Sequence, residues 1–280
     1  MPFKATYKND FYISNDKIFL SEEYKNKNRN KFKKITGSRF SAILMQSKYS
    51  SPFKTWAIMT NIYYEKMDET LSKVGNAIEP KIRNYISKIM DVKFLSYVPE
   101  KEKWDVFRKN EIFGGIPDGE PVNDNSDFLY KDGMPMLEVK TTSIDSFVYK
   151  YENDVLTLMK DKNNLPIVKE QYGKLLSWFE NDKMEISYDY QLQLALYLYL
   201  RKHNLGLFAI AFLDKKYYLD YSSYKPENNY VATSFLYINK DEFQKLISYS
   251  ENWYEKHIVE GVSPTATKED LIWLKKELKI

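Results

Sequence analysis

The pair Glu138 and Lys140, two residues apart in Leu137-Glu138-Val139-Lys140, constrains this chain more than any other short stretch. Side chains alternate along an extended strand, so Glu138 and Lys140 share one face while Val139 points to the other, toward a core. Upstream, Gly115-Ile116-Pro117-Asp118-Gly119 sets a second carboxylate between Pro and Gly, where the backbone turns and Asp118 can project sideways from a strand end. Two carboxylates and an ammonium, delivered by a strand and its neighbouring turn, can hold a divalent metal and a water together. No other part of the chain offers a complete catalytic set.

Composition narrows the chemistry. Cysteine is absent, which removes disulfides, thiol nucleophiles and cysteine metal sites. His203 and His257 are the only histidines, too few for a zinc site built on imidazole. Metal chemistry must then use oxygen ligands, which favour Mg²⁺, Mn²⁺ or Ca²⁺, and the set suits phosphodiester hydrolysis. A net charge of +3 over 280 residues is no indiscriminate polycation, so any nucleic-acid groove has to be local. The start Met1-Pro2-Phe3-Lys4 has no apolar run behind a basic segment, and no stretch approaches the roughly 18 to 20 apolar residues of a membrane span. A soluble, cytoplasmic protein with no membrane partner is expected.

Residues 1–34 are polar and lysine-rich, and read as a solvated face or a loose arm. Helix starts are signalled at Thr36-Gly37-Ser38 and at Ser50-Ser51-Pro52, the latter with Pro at the first helical position. The spacing of Ile82, Tyr85, Ile86 and Ile89 predicts a helix over 81–90, with Glu79 at its entrance. Short runs at 94–98, 104–107, 112–116 and 134–141 suggest an antiparallel meander, with 120–133 as an enlarged hairpin loop. The polar stretch 153–183 suggests a helix around 169–179. Helix 188–202, strands 207–213 and 230–238, and C-terminal helices within 241–280 complete an α/β (mixed α+β) reading. One domain over 1–280 is expected, its motif-bearing core at about 35–240.

Each residue taken singly has an ordinary role open to it: an exposed Glu-Lys ion pair, an Asp-Gly turn, a first-turn Glu79 facing the helix dipole. Gln191 and Gln193 are harder to dismiss, because a glutamine inside the apolar run Tyr190-Gln191-Leu192-Gln193-Leu194 needs hydrogen-bond partners. In order, Ser38, Glu79, Pro117-Asp118-Gly119, Glu138-Val139-Lys140 and Gln191-Leu192-Gln193 resemble the PD-(D/E)XK nuclease superfamily. The likeness covers roughly residues 35–200 and is greatest to the YqaJ-like, lambda-type phage exonuclease branch and to nucleases of this superfamily in mollicutes.

The resemblance implies a restriction-endonuclease-like core, a central mixed sheet flanked by helices. It implies Asp118 and Glu138 as ligands of Mg²⁺ (Mn²⁺ as the alternative), the Val139 carbonyl as a further oxygen ligand, and Glu79 supporting the metal from the first helical layer. Lys140 would orient or activate the attacking water and stabilise developing negative charge. Ser38 falls where a hydroxyl at a helix start contacts DNA phosphate, with Arg39 and Lys31 or Lys34 as basic neighbours. Gln193 and Tyr197 match a Gln-x-x-x-Tyr pattern whose two side chains face the site one helical turn apart, Gln191 being the alternative glutamine.

Two departures from the pattern matter. Ile116 stands where a small hydroxyl residue helps to grip a 5′-phosphate, so a requirement for a 5′-phosphorylated end is not implied. The loop 120–133 is longer than the compact lambda-type hairpin. The expected function is a Mg²⁺-dependent deoxyribonuclease, an exonuclease on DNA ends in recombination, repair or foreign-DNA processing. A restriction-like or structure-specific endonuclease is the alternative on the same core, and a catalytically silent DNA-binding protein is the alternative of another class. DNA is the expected partner, and lambda-type relatives, which thread DNA through rings, add a homo-oligomer to the expectations.

Overall fold

A computed structural model of the chain describes residues 3–65, 69–152, 155–181 and 183–279. Its principal elements are α1 (Gly37–Ile43), α2 (Pro52–Met59), α3 (Glu69–Met90), β1 (Lys93–Leu95), β2 (Glu120–Val122), β3 (Met136–Ser143), α4 (Tyr188–Leu200), β4 (Leu205–Leu213), β5 (Val231–Tyr237), α5 (Lys240–Trp253) and α6 (Lys268–Leu278). A hairpin of Phe11–Ser14 and Lys17–Leu20 and a short helix, Glu22–Asn28, precede them.

β4 is apolar without interruption and buried along nearly its whole length, as a central strand covered on both faces must be. β3 lies parallel to it, in the register Leu137↔Leu207 and Val139↔Ala209, and β5 lies antiparallel on its other side. At its outer edge β3 meets the end of the β1–β2 hairpin through reciprocal backbone bonds of Gly119 and Leu137, at 3.1 and 2.9 Å. Leu137 and Val139 pack with Leu207, Ala209 and Ala211 under Val74, Ile78, Ile82 and Ile86, one stripe of α3 at a spacing of four. Met136, Phe208, Ile210 and Phe212 face the opposite core, to which α1, α2, α4 and α5 contribute. Glu138 and Lys140 share the parity of Met136, so they lie on the α4 side of the sheet.

The structure corrects several expectations. The expected antiparallel meander survives only at the sheet edge, where β1 pairs with β2 and Gly119 bridges antiparallel to Leu137; along its length β3 pairs parallel with β4 through a crossover that carries α4. Residues 104–107 and 112–116 are turns with one bridge from Phe113 to Ile35, and their apolar side chains Phe107 and Phe113 are satisfied by the core rather than by a ladder. Glu79 does not open a helix: α3 begins ten residues earlier, at Glu69. Pro80 is tolerated inside it because the residue is exposed, where the backbone bond it forfeits faces solvent. The segment 120–133 opens with strand β2, and only its remainder is loop, around the turn Leu129–Asp132.

The N-terminal segment is not a loose arm. Phe11, Ile18 and Leu20 are buried, and the N–H groups of Ile18 and Leu20 donate to Ser263 Oγ and the Gly261 carbonyl at 2.8 and 2.9 Å. The helix expected around 169–179 shrinks to Gly173–Leu176, between short hairpins. Among the described residues no helix is long and apolar enough to cross a membrane.

Candidate active site

β3 presents Lys140 Nζ 2.5 Å from Glu138 Oε1. Gln193 reaches in from α4: its Nε2 donates to the same Glu138 oxygen at 2.6 Å, and its Oε1 accepts from Lys140 Nζ at 3.3 Å. Three side chains therefore close a triangle. Glu138 is fully buried, and its second oxygen, Oε2, has no hydrogen-bond partner in the protein. A bare oxygen on a buried carboxylate calls for a cation or a polar ligand. The Tyr190 ring lies under the ammonium, 4.8 Å from Lys140 Nζ to the centroid.

Asp118 arrives at the sheet edge on the turn before Gly119. The Val139 N–H donates to Asp118 Oδ2 at 2.8 Å. Within a strand a residue's N–H and C=O point to the same side, so the Val139 carbonyl also opens toward the Asp118 edge. Arg83, buried on α3, secures this corner: its Nη1 donates to Glu79 Oε1 at 2.8 Å and to the Asp118 backbone carbonyl at 2.7 Å.

Burial, and then repulsion from Asp118, pushes the Glu138 carboxyl up to about 8, with Lys140 opposing. Burial raises Asp118 too, against Lys140, the Val139 N–H and Arg83, and burial followed by the Asp118 charge raises Glu79. Burial alone would lower Lys140, but the Glu138 and Asp118 carboxylates outweigh it and the ammonium is held above its ordinary value. A bound cation would relieve this crowding of acids. Among the described residues no three His, Asp or Glu side chains converge to hold an ion unaided. The available donors are Asp118, Glu138 and the Val139 carbonyl, with the remaining positions left to water, a habit of Mg²⁺. Glu79, expected as metal support, lines the cleft beside Asp118 and gives one oxygen to the Arg83 pair that holds the Asp118 turn.

α1 crosses α4 closely because Gly37 has no side chain; a Cβ there would stand 2.5 Å from Gln193 Cγ. Gly115, at φ +132°, likewise leaves room for Tyr197, whose Oη would be 2.5 Å from an added Cβ. Tyr197 is buried, accepts from the Gly37 N–H at 3.4 Å and stacks on Phe107 at 5.8 Å, so it braces the two glycines. Gln191 donates to the Ile186 carbonyl at 2.7 Å and takes no part in the triangle. Two residues apart on a helix, the glutamines diverge by about 200°.

A cleft of about 700 Å³ opens beside Asp118, with Lys33, Lys34, Arg39 and Lys103 among its lining. Arg39 Nη1 donates to the Lys34 carbonyl at 2.9 Å, and Lys34 Nζ pairs with Asp105 at 2.7 Å. Burial, and then Arg39 and Lys4, lowers the Lys33 ammonium. Ser38 is exposed in the first turn of α1, its Oγ 3.2 Å from Thr36 Oγ1. Lys31 is exposed in the turn Arg29–Lys31 and does not line the cleft.

Two features escaped sequence reasoning. Arg83 carried a usable signal, since it follows Glu79 by four on a helix. The other is Glu120, fully buried on β2, where Arg201 at the end of α4 forks onto its oxygens at 2.6 and 2.7 Å and the Tyr97 and Tyr130 hydroxyls donate to it. This network ties the strand after Asp118 to the helix that carries Gln193. Nothing local announces it.

The sequence profile of the YqaJ-like viral recombinase domain matches residues 25–200. The chain is 46% identical over 276 residues to "Uncharacterized protein MG373" of Mycoplasma genitalium, covering 98% of each. It is 43% identical over 276 residues to the MG373 homolog of Mycoplasma pneumoniae, again 98% of each. Similar solved structures include the alkaline exonuclease LHK-Exo from Laribacter hongkongensis, at 11% identity and TM-score 0.47, covering 92% of this chain and 98% of that one. A phage related exonuclease from Haemophilus somnus 129PT is similar at 14% identity and TM-score 0.49, covering 84% and 99%. The matched span holds the whole triangle and the Asp118 corner, and by that match the chain belongs to the family of the YqaJ-like viral recombinase domain.

Proposed function

We propose that this chain is a Mg²⁺-dependent deoxyribonuclease with a restriction-endonuclease-like, PD-(D/E)XK core, an exonuclease on DNA ends in recombination, repair or foreign-DNA processing. The observation that carries this reading is the Glu138 carboxylate: buried, gripped on one oxygen by Lys140 and Gln193, bare on the other, and within reach of the Asp118 charge. A purely structural ion pair has no reason to leave a buried oxygen unpartnered.

A divalent ion seated by Asp118, Glu138 and the Val139 carbonyl would supply Lewis-acid polarisation of the scissile phosphate and a more acidic water. Lys140 stays protonated among its carboxylates, so it serves as a fixed positive charge and hydrogen-bond donor to the growing phosphoryl charge rather than as a base. Gln193 holds both Glu138 and Lys140 in place from α4. Arg83 and Glu79 hold the Asp118 turn. Lys33, Lys34 and Arg39 take backbone phosphates along the cleft, which position the strand without reading its sequence.

The test is incubation with end-labelled linear DNA and closed circular DNA, in Mg²⁺ or in EDTA. An exonuclease consumes the linear DNA, spares the circle and stops in EDTA. Cutting of the circle favours the endonuclease reading, and DNA bound but uncut in Mg²⁺ and Mn²⁺ favours the silent binder.

A further inference from the structure

Of the five tryptophans, Trp56, Trp178 and Trp253 are buried and Trp273 is packed against the core, whereas Trp104 is 65% exposed. It lines the same cleft as Asp118. A single exposed aromatic ring is ordinary; the mount of this one is not. Lys103 and Trp104 are both left-handed, at φ +50° and +63°, an uncommon conformation for bulky residues. The Trp104 N–H donates to the Pro99 carbonyl at 2.8 Å. The next residue, Asp105, accepts from the Phe107 and Gly115 N–H groups at 2.8 and 3.2 Å and from Lys34 at 2.7 Å. The ring is thus held out on the bracket that also positions Gly115 and Lys34 in the cleft.

The cleft around it has two characters. Tyr97, Pro99 and Ile116 provide an apolar wall, and Lys33, Arg39 and Lys103 provide cations. An exposed flat ring, an apolar wall and cations within about 700 Å³ match a nucleotide whose base has left the duplex stack, its face on the indole and its phosphate on the ammonium groups. A base still paired and stacked inside a duplex cannot offer that face.

We propose that Trp104 is a stacking subsite for one unpaired base at a DNA end, on the strand whose backbone runs to Asp118 and Glu138. The inference rests on the nuclease reading for the path of that strand, while the stacking itself is measured without cleavage.

The experiment uses the full chain in EDTA with three labelled duplexes: blunt, with one unpaired terminal nucleotide, and with an abasic unit in its place. Both 5′ and 3′ overhangs are included. The base-bearing overhang on one strand should bind about tenfold more tightly than its abasic counterpart, with quenching of tryptophan emission. Trp104→Phe should keep most of that difference, and Trp104→Ala should abolish both it and the quench while circular dichroism stays unchanged. Equal affinity for base-bearing and abasic ends, a difference that survives in Trp104→Ala, or no binding to any of the ends overturns the proposal. Cleavage by the wild-type chain in Mg²⁺ is measured in parallel: base-dependent binding without cleavage upholds the subsite and sinks the nuclease reading, and cleavage without base-dependent binding does the reverse.

Discussion

Gln193 and Lys140 grip the same oxygen of Glu138, at 2.6 and 2.5 Å, one from helix α4 and the other from strand β3. The carboxylate is therefore positioned before any ligand arrives, and its other oxygen, Oε2, is left buried without a partner in the protein.

Gln193→Leu should reduce cleavage by about one to two powers of ten, since it removes a preorganised donor from a buried charge. Gly37→Ala should act in the same direction from a distance, because its Cβ would stand 2.5 Å from Gln193 Cγ. Gln191→Ala, whose amide serves only the Ile186 carbonyl among the protein bonds described, should leave the rate near wild type. Single-turnover rates on one substrate compare the three.

The Glu138 carboxyl sets a pH dependence. Its folded pKa of about 8 lies above the ordinary 4.5, so across that window the metal-free folded protein keeps a proton that the unfolded chain has released. This contribution to stability is present at low pH and is lost as pH rises toward 8. Below pH 8, Mg²⁺ affinity should climb by about tenfold per pH unit as the proton is displaced, then level off. Glu138→Gln should flatten the stability slope, measured by urea unfolding in EDTA between pH 5 and 9, to the share that the raised Asp118 and Glu79 carboxyls supply; calorimetry on the wild-type chain measures the affinity slope.

Arg201→Ala should destabilise the chain by about 3–5 kcal/mol, because it leaves the buried Glu120 without its counter-charge. Arg201→Lys should recover only part of this, since an ammonium cannot reproduce the two-pronged contact at 2.6 and 2.7 Å. The double change Glu120→Leu with Arg201→Met should lie nearer to wild type than Arg201→Ala does. Chemical denaturation measures all three.

Arg39→Ala and Lys33→Ala should each reduce the slope of log DNA affinity against log salt by about one unit. Lys34→Ala should change it less, because Asp105 already balances that charge at 2.7 Å. Lys31→Ala, outside the cleft, should leave the slope unchanged. Titrations at several salt concentrations separate these cases.

What could be read from the chain alone depended on the range of the forces involved. The side-chain alternation of 137–140 is local, and so is the divergence of Gln191 from Gln193 around α4, which left only one of them able to meet Lys140. Nothing local shows that α3 runs on upstream of Pro80: proline favours a first helical turn, and its tolerance in the middle of α3 depends on which side of that helix is exposed, a tertiary fact. The run at 104–107 has the composition of a strand, yet Phe107 is drawn into the core and no neighbouring ladder takes the segment up. The parallel pairing of β3 with β4 and the Glu120–Arg201 fork join segments far apart in sequence, and no local spacing encodes either.

Cleavage of end-labelled linear duplex by the wild-type chain, Asp118→Asn, Glu138→Gln and Lys140→Ala, with Mg²⁺ and DNA affinities measured on the same samples, tests the central claim most directly. Asp118→Asn and Glu138→Gln should lose both cleavage and Mg²⁺ binding. Lys140→Ala should lose cleavage by about a thousandfold while still binding Mg²⁺ and DNA, because a protonated amine acts on the developing charge and not on the metal. Lys140→Ala cutting at the wild-type rate, or Mg²⁺ binding undiminished in both carboxylate variants, would contradict the account.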